Sequence, residues 1–140
     1  MMELLQSFYK LRKNQQGQTL VELALILPIL VLLLMCTIEF GRIFFTYLTV
    51  THAAREAARA TVIHTGQDDA FIKQKVESTA SWLEPDKLII EVTPASPANR
   101  TTGVPLTVSV KYPVDLYTPL LSDIMPNPFI VQAQITMRIE

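Results

Sequence analysis

The 140 residues amount to about one domain's worth of chain, with a formal charge of −1, 49% hydrophobic content, 18% charged content and 4 glycines. That is too apolar for a disordered chain and too glycine-poor for a fibrous repeat. Lys and Arg are scattered rather than clustered with aromatics, so no nucleic acid is expected as a direct partner. The single Cys36 excludes an intrachain disulfide or a Cys-built zinc cluster, and His52 and His64 stand too far from other ligand types to suggest a metal. The apolar content is unevenly spread: no charge occurs between Glu22 and Glu39, whereas eight of the nine prolines fall at or after Pro85.

The charge-free stretch, residues 23–38, reads LALILPILVLLLMCTI. A helix of that length covers roughly 24 Å, slightly short of the roughly 30 Å hydrocarbon layer, so the span needs its flanks. Thr19 to Val21 on one side and Phe40 to Tyr47 on the other are apolar enough to extend it, with Phe44, Phe45 and Tyr47 suited to the far interface. One transmembrane helix is therefore expected, ending near residue 47. Lys10, Arg12 and Lys13 before it favour a cytoplasmic N-terminus, although Arg42, Arg55 and Arg59 follow on the other side. A cleaved secretory signal fits poorly, because Cys36-Thr37-Ile38-Glu39-Phe40 offers no pair of small residues spaced for signal peptidase. Bulky Met35 argues likewise against lipidation of Cys36.

Two residues inside this region need more than hydropathy. Glu22 stands at the entrance to the apolar run, where a carboxylate either stays wet at the headgroup level or requires a partner. Pro28 removes a backbone hydrogen bond and clashes with the carbonyl of Ala24, so a bend is expected there.

Taken together, Gly17-Gln18-Thr19-Leu20-Val21-Glu22 followed by the apolar run resembles the processing site of type IV pilin-like proteins. Ile38-Glu39-Phe40-Gly41-Arg42 and Ala53-Ala54-Arg55-Glu56-Ala57-Ala58-Arg59 narrow the likeness to the TadE-like family, the minor pseudopilins of Tad (Flp) pilus systems. The resemblance covers about residues 12 to 63, and it departs from many Tad prepilins in having Leu23 where an aromatic is common. It implies a cytoplasmic leader, residues 1–17, cut between Gly17 and Gln18 by a prepilin peptidase. Glu22 would then pair with the freed amino terminus of the same or an adjacent subunit. Other implied partners are minor and major pilins, the pilus assembly platform in the inner membrane, and the lipid bilayer. The implied location is the bacterial cytoplasmic membrane, single-pass, with the C-terminal head outside the cytoplasm.

Beyond the span the helix is expected to continue as an amphipathic extension, residues 48–66. Phe40, Ile43, Phe44, Tyr47, Leu48, Thr51, Ala54, Ala58 and Val62 keep helical spacing, while Glu39, Arg42, Thr46, Thr49, Ala53 and Glu56 fall on another face. Glu39 with Arg42 and Glu56 with Arg59 are i,i+3 pairs. Two readings stay open for this stretch. The charges form a solvated face, or the alanines admit neighbouring helices while Arg55 and Arg59 meet acids of another subunit or anionic lipid heads.

The remainder, residues 67–140, reads as an α+β head. Thr65-Gly66 supplies a stop, and Asp68-Asp69 precede the apolar stripe Phe71, Ile72, Val76, Ala80 and Leu83 of a capped second helix ended by Glu84-Pro85. Three alternating runs follow, Leu88 to Val92, Val104 to Tyr112 and Phe129 to Ile139, which predict a small three-stranded antiparallel sheet. Between the last two, Thr118-Pro119 predicts a short helix through Met125, whose apolar residues close the core or meet a partner. No nucleophile stands beside an activating histidine and no Gly-rich loop joins a strand to a helix, so neither enzymatic activity nor a cofactor is expected.

Overall fold

The computed structural model describes residues 15–63 and 68–140; the first fourteen residues of the expected leader, His64 and the Thr65-Gly66 stop lie outside the described residues. The chain is mixed α+β. Helix α1 runs over Gln15–Ile63 and α2 over Asp69–Thr79, followed by strand β1 (Ile89–Thr93), strand β2 (Pro105–Val114), the short helix α3 (Pro119–Ile124) and strand β3 (Phe129–Arg138). Two compact units divide it, Met1–Thr37 and Ile38–Glu140.

In the first unit the helical assignment passes through Pro28 without interruption. An 18-residue window has a mean hydropathy of 2.7 with none of it buried, long and apolar enough to cross a membrane. Side chains from Leu20 to Leu34 point outward all around, as expected of a helix whose solvent is lipid. The Thr37 hydroxyl turns back to donate to the Leu33 carbonyl at 2.9 Å, which conceals its polarity within the helix.

The second unit is a three-stranded antiparallel sheet in the order β1-β2-β3, covered by the outer part of α1 and by α2. The alternation seen in the sequence fixes the register. Ile90 faces Val110, Val108 faces both Val92 and Ile135, and Tyr112 faces Val131, so one sheet face is apolar throughout. Leu106, Val108 and Val110 on that face are fully buried beside Val50, Ala53, Ala54, Ala57 and Ala58 of α1 and Ile72 and Val76 of α2. Pro105 opens β2, where its missing N–H matters least.

Helix α2 begins as expected, with the Asp68 carboxylate accepting from the Phe71 N–H at 3.0 Å. It ends sooner than the apolar stripe suggests, at Thr79. Ala80 caps it, and the Leu83 N–H closes the next turn onto the Ala80 carbonyl. Arg100, in the β1–β2 loop, is buried; it pairs with Asp69 and donates to the carbonyls of Pro94 and Ala95, tying that loop to the first turn of α2.

The faces of outer α1 are a correction to the sequence reading. Glu39, Thr46, Val50 and Ala53 are buried, whereas Phe40, Phe44, Tyr47 and Leu48 are exposed. The small distal members of the expected stripe, Ala54, Ala58 and Val62, are in the core, but its bulky members are outside, and Glu39, Thr46 and Ala53 from the other expected face are buried with the core instead. Alanine and threonine let the helix backbone come close to the sheet, which bulky phenylalanines on that face would prevent. Four of the alanines are thus spent on the protein's own core.

Candidate functional site

Gly17, Gln18 and Glu22 lie on the first two turns of α1, and all three are exposed. The Gln18 amide donates to Glu22 Oε1 at 3.1 Å, an i,i+4 contact along one helix face. The donor is the Gln18 side chain and not the freed amino terminus that the resemblance pairs with Glu22. A Cβ placed on Gly17 or on Gly41 would meet nothing within 4 Å, and neither residue has a positive φ. Glycine inside a helix costs about 0.5–1 kcal/mol relative to alanine. Packing among the described residues gives no reason for glycine at either place.

At the other end of the charge-free run the arrangement is different. Glu39 is only 3% exposed. Its Oε1 accepts from Arg42 Nη1 at 2.9 Å, while Oε2 accepts from the Tyr117 N–H and the Thr118 hydroxyl, each at 3.2 Å. Arg42 also donates to the Asp115 carbonyl at 3.3 Å and lies 4.6 Å over the Tyr117 ring. The solvated-face reading therefore fails for Glu39: its carboxylate holds the entry to α3, taking up an N–H and a hydroxyl that would otherwise lack acceptors. Sequence reasoning found Thr118-Pro119 as a helix start but missed that Thr118 spends its hydroxyl on Glu39. A lone acid just past an apolar run, matched to a distant helix cap, was the available signal.

The second expected pair does not form. Among the described residues Glu56 and Arg59 make no ion pair; Arg55 and Arg59 are exposed and Glu56 half-buried. Arg55 and Arg59 thus stand at the surface, as both the solvated-face and the partner-contact readings require. The β2–β3 connection that contains α3 divides its apolar residues, with Leu116 buried while Tyr117 and Ile124 are exposed; the Leu120 side chain lies outside the described residues.

Two concavities adjoin this lock. A cleft of about 240 Å³ is lined by Arg42, Phe45, Trp82, Lys87 and Tyr117, among others. The hydrogen bond that Lys87 donates to Glu84, joined by the charges of Glu84 and Asp115, outweighs desolvation and holds the Lys87 ammonium above the ordinary lysine range. Its raised pKa means that the pairing contributes fully at neutral pH and is lost only as pH climbs past that range. An apolar groove lies between Phe40, Ile43, Phe44 and Tyr47 on α1 and Phe129 to Gln132 on β3. Among the described residues no group of three or more His, Cys, Asp or Glu converges to hold a metal.

Among the described residues the structure therefore shows one helix long and apolar enough to cross a membrane, and a compact α+β unit over Ile38–Glu140. Residues 17–59 match the family of TadE-like proteins, the family whose likeness the sequence carries. No match was found among curated proteins or solved structures.

Proposed function

We propose that the chain is a minor pseudopilin of a Tad/Flp-type pilus, non-enzymatic, anchored in the cytoplasmic membrane with its head outside the cytoplasm. A prepilin peptidase removes residues 1–17, and the mature protein initiates, caps or regulates a filament built of other pilins on an inner-membrane assembly platform. The observation that carries this is the TadE-like match, which begins at Gly17 and extends through E-F-G-R and A-A-R-E-A-A-R. Gly17 supports it independently, because a helix-destabilising residue without a packing role is what recognition by a peptidase would leave in place. After cleavage the amino group of Gln18 would lie on the same helix as Glu22, and a charge-assisted contact would replace the amide contact.

The rival is an uncleaved single-pass membrane protein whose head binds an extracytoplasmic ligand or partner. One observation favours it: the Gln18 side chain gives Glu22 a partner in the intact chain. Intact mass of the membrane-extracted protein, with and without the cognate prepilin peptidase, separates the two. Loss of the mass of residues 1–17 only when the peptidase is present is the expected result, and Gly17→Leu abolishes that loss. A chain that keeps its leader in both cases leaves the rival standing.

A further inference from the structure

We propose that the head holds the bilayer a second time, through the β2–β3 connection and the turn bearing Trp82, which rest in the lipid headgroup layer. This builds on the reading of residues 23–38 as membrane-embedded and does not depend on cleavage.

The argument starts from chain connectivity. The charge-free run ends at Ile38, and Glu39 and Arg42 lie about 1.5 and 6 Å further along the helix axis. The polar layer on each side of a bilayer is about 5–8 Å thick. Glu39 is bonded directly to Tyr117 and Thr118, and Arg42 to the Asp115 carbonyl. Residues 115–118 are therefore held within hydrogen-bond reach of the first helical turn beyond the charge-free run.

What those residues present outward suits that layer. Tyr117 is 71% exposed, Ile124 73% and Trp82 83%, and Trp82 shares a cleft with Arg42, Phe45 and Tyr117. Large apolar and aromatic side chains left open to water cost free energy, whereas Trp and Tyr are favoured where hydrocarbon meets headgroups. Phe40 and Phe44, on the first turns of α1 after the charge-free run, are exposed as well and line the separate groove against β3. At the opposite end of β2, about 30 Å away for a ten-residue strand, the β1–β2 loop shows only Ala95, Ser96, Pro97, Ala98 and Asn99 as exposed residues before the buried Arg100. The end bonded to Glu39 and Arg42 exposes large aromatic and aliphatic side chains beside the acids Glu84, Asp86, Asp115 and Asp123, a mixture suited to a headgroup layer, and the loop at the other end exposes no side chain of that size.

The full chain at one copy per lipid nanodisc tests this, with lipids brominated high on their acyl chains as quenchers. Trp82 is the single tryptophan, so the wild-type protein reports directly. Ile124→Trp, Ala98→Trp and Leu30→Trp are each added to Trp82→Phe. Trp82 and Ile124→Trp are expected to lose at least about half their emission in brominated discs and to shift to the blue, with Ala98→Trp unaffected. If both behave like Ala98→Trp while Leu30→Trp is quenched, the second hold is wrong and the span stands. An unquenched Leu30→Trp removes the span and this inference with it. A blue shift seen only when two copies share a disc assigns the surface to a second copy and overturns the lipid assignment.

Discussion

Glu22 and Glu39 border the same apolar run, yet the fold treats them as opposites. Glu22 is exposed and touches one amide; Glu39 is buried and both its oxygens are occupied by donors from elsewhere in the head. Glu39→Ala removes the acceptor from the Tyr117 N–H and the Thr118 hydroxyl, which should cost about 1–3 kcal/mol. The expected result is a lower Tm of the detergent-solubilised chain, and an unchanged Tm would refute the clamp. Glu39→Gln should fall between the two, since one acceptor oxygen survives while the amide turns a donor toward other donors. The glutamate and arginine of E-F-G-R were visible as a local pair. Tyr117 and Thr118, far along the chain, were not, because a hydrogen bond across so many residues leaves no trace in spacing.

For α1 the element as a whole decides which stripe is core. The apolar positions of the outer helix share helical periodicity, but spacing alone does not say that Phe40, Phe44, Tyr47 and Leu48 stay exposed while Ala54, Ala58 and Val62 are buried. Ala57 is fully buried, so Ala57→Leu should cost about 1–3 kcal/mol through overpacking. Phe44→Ala, at an exposed site, should stay within about 0.5 kcal/mol. Denaturant titration of the two variants checks the assignment, and the reverse ranking would restore the sequence reading. The strands were legible because alternation has only two faces to choose between. Helix α2 was legible at its start, through Asp68, and less so at its end. Replacing that cap, Asp68→Ala, is expected to cost about 1 kcal/mol by the same titration.

At the scale of the molecule, the two compact units separate two kinds of defect. Glu22 belongs to the first unit and is no member of the head's core, so Glu22→Ala should leave the thermal unfolding of the head unchanged while it removes pilus formation. Normal pili with Glu22→Ala would sink the pairing role, and a lowered head Tm would place Glu22 in the wrong unit. The expected end of the span at residue 47 concerns the bilayer, and packing follows a different rule: the head takes up α1 from Ile38 onward. Residues 38–47 thus serve the head with Glu39 and Thr46 while keeping Phe40, Phe44 and Tyr47 outward.

The sequence by itself determined the apolar helix, the capped second helix, the three alternating strands and the α+β class. Those signals are local, set by the periods at which one chain segment shows the same face. It also carried the TadE-like motif, which is linear. Only the tertiary structure decided that the head packs on alanines rather than phenylalanines, that Glu39 is a buried clamp, and that Arg100 ties a loop to α2. Such choices depend on how closely two distant surfaces can approach and which polar groups need partners once they do, and neither quantity exists until the chain has folded.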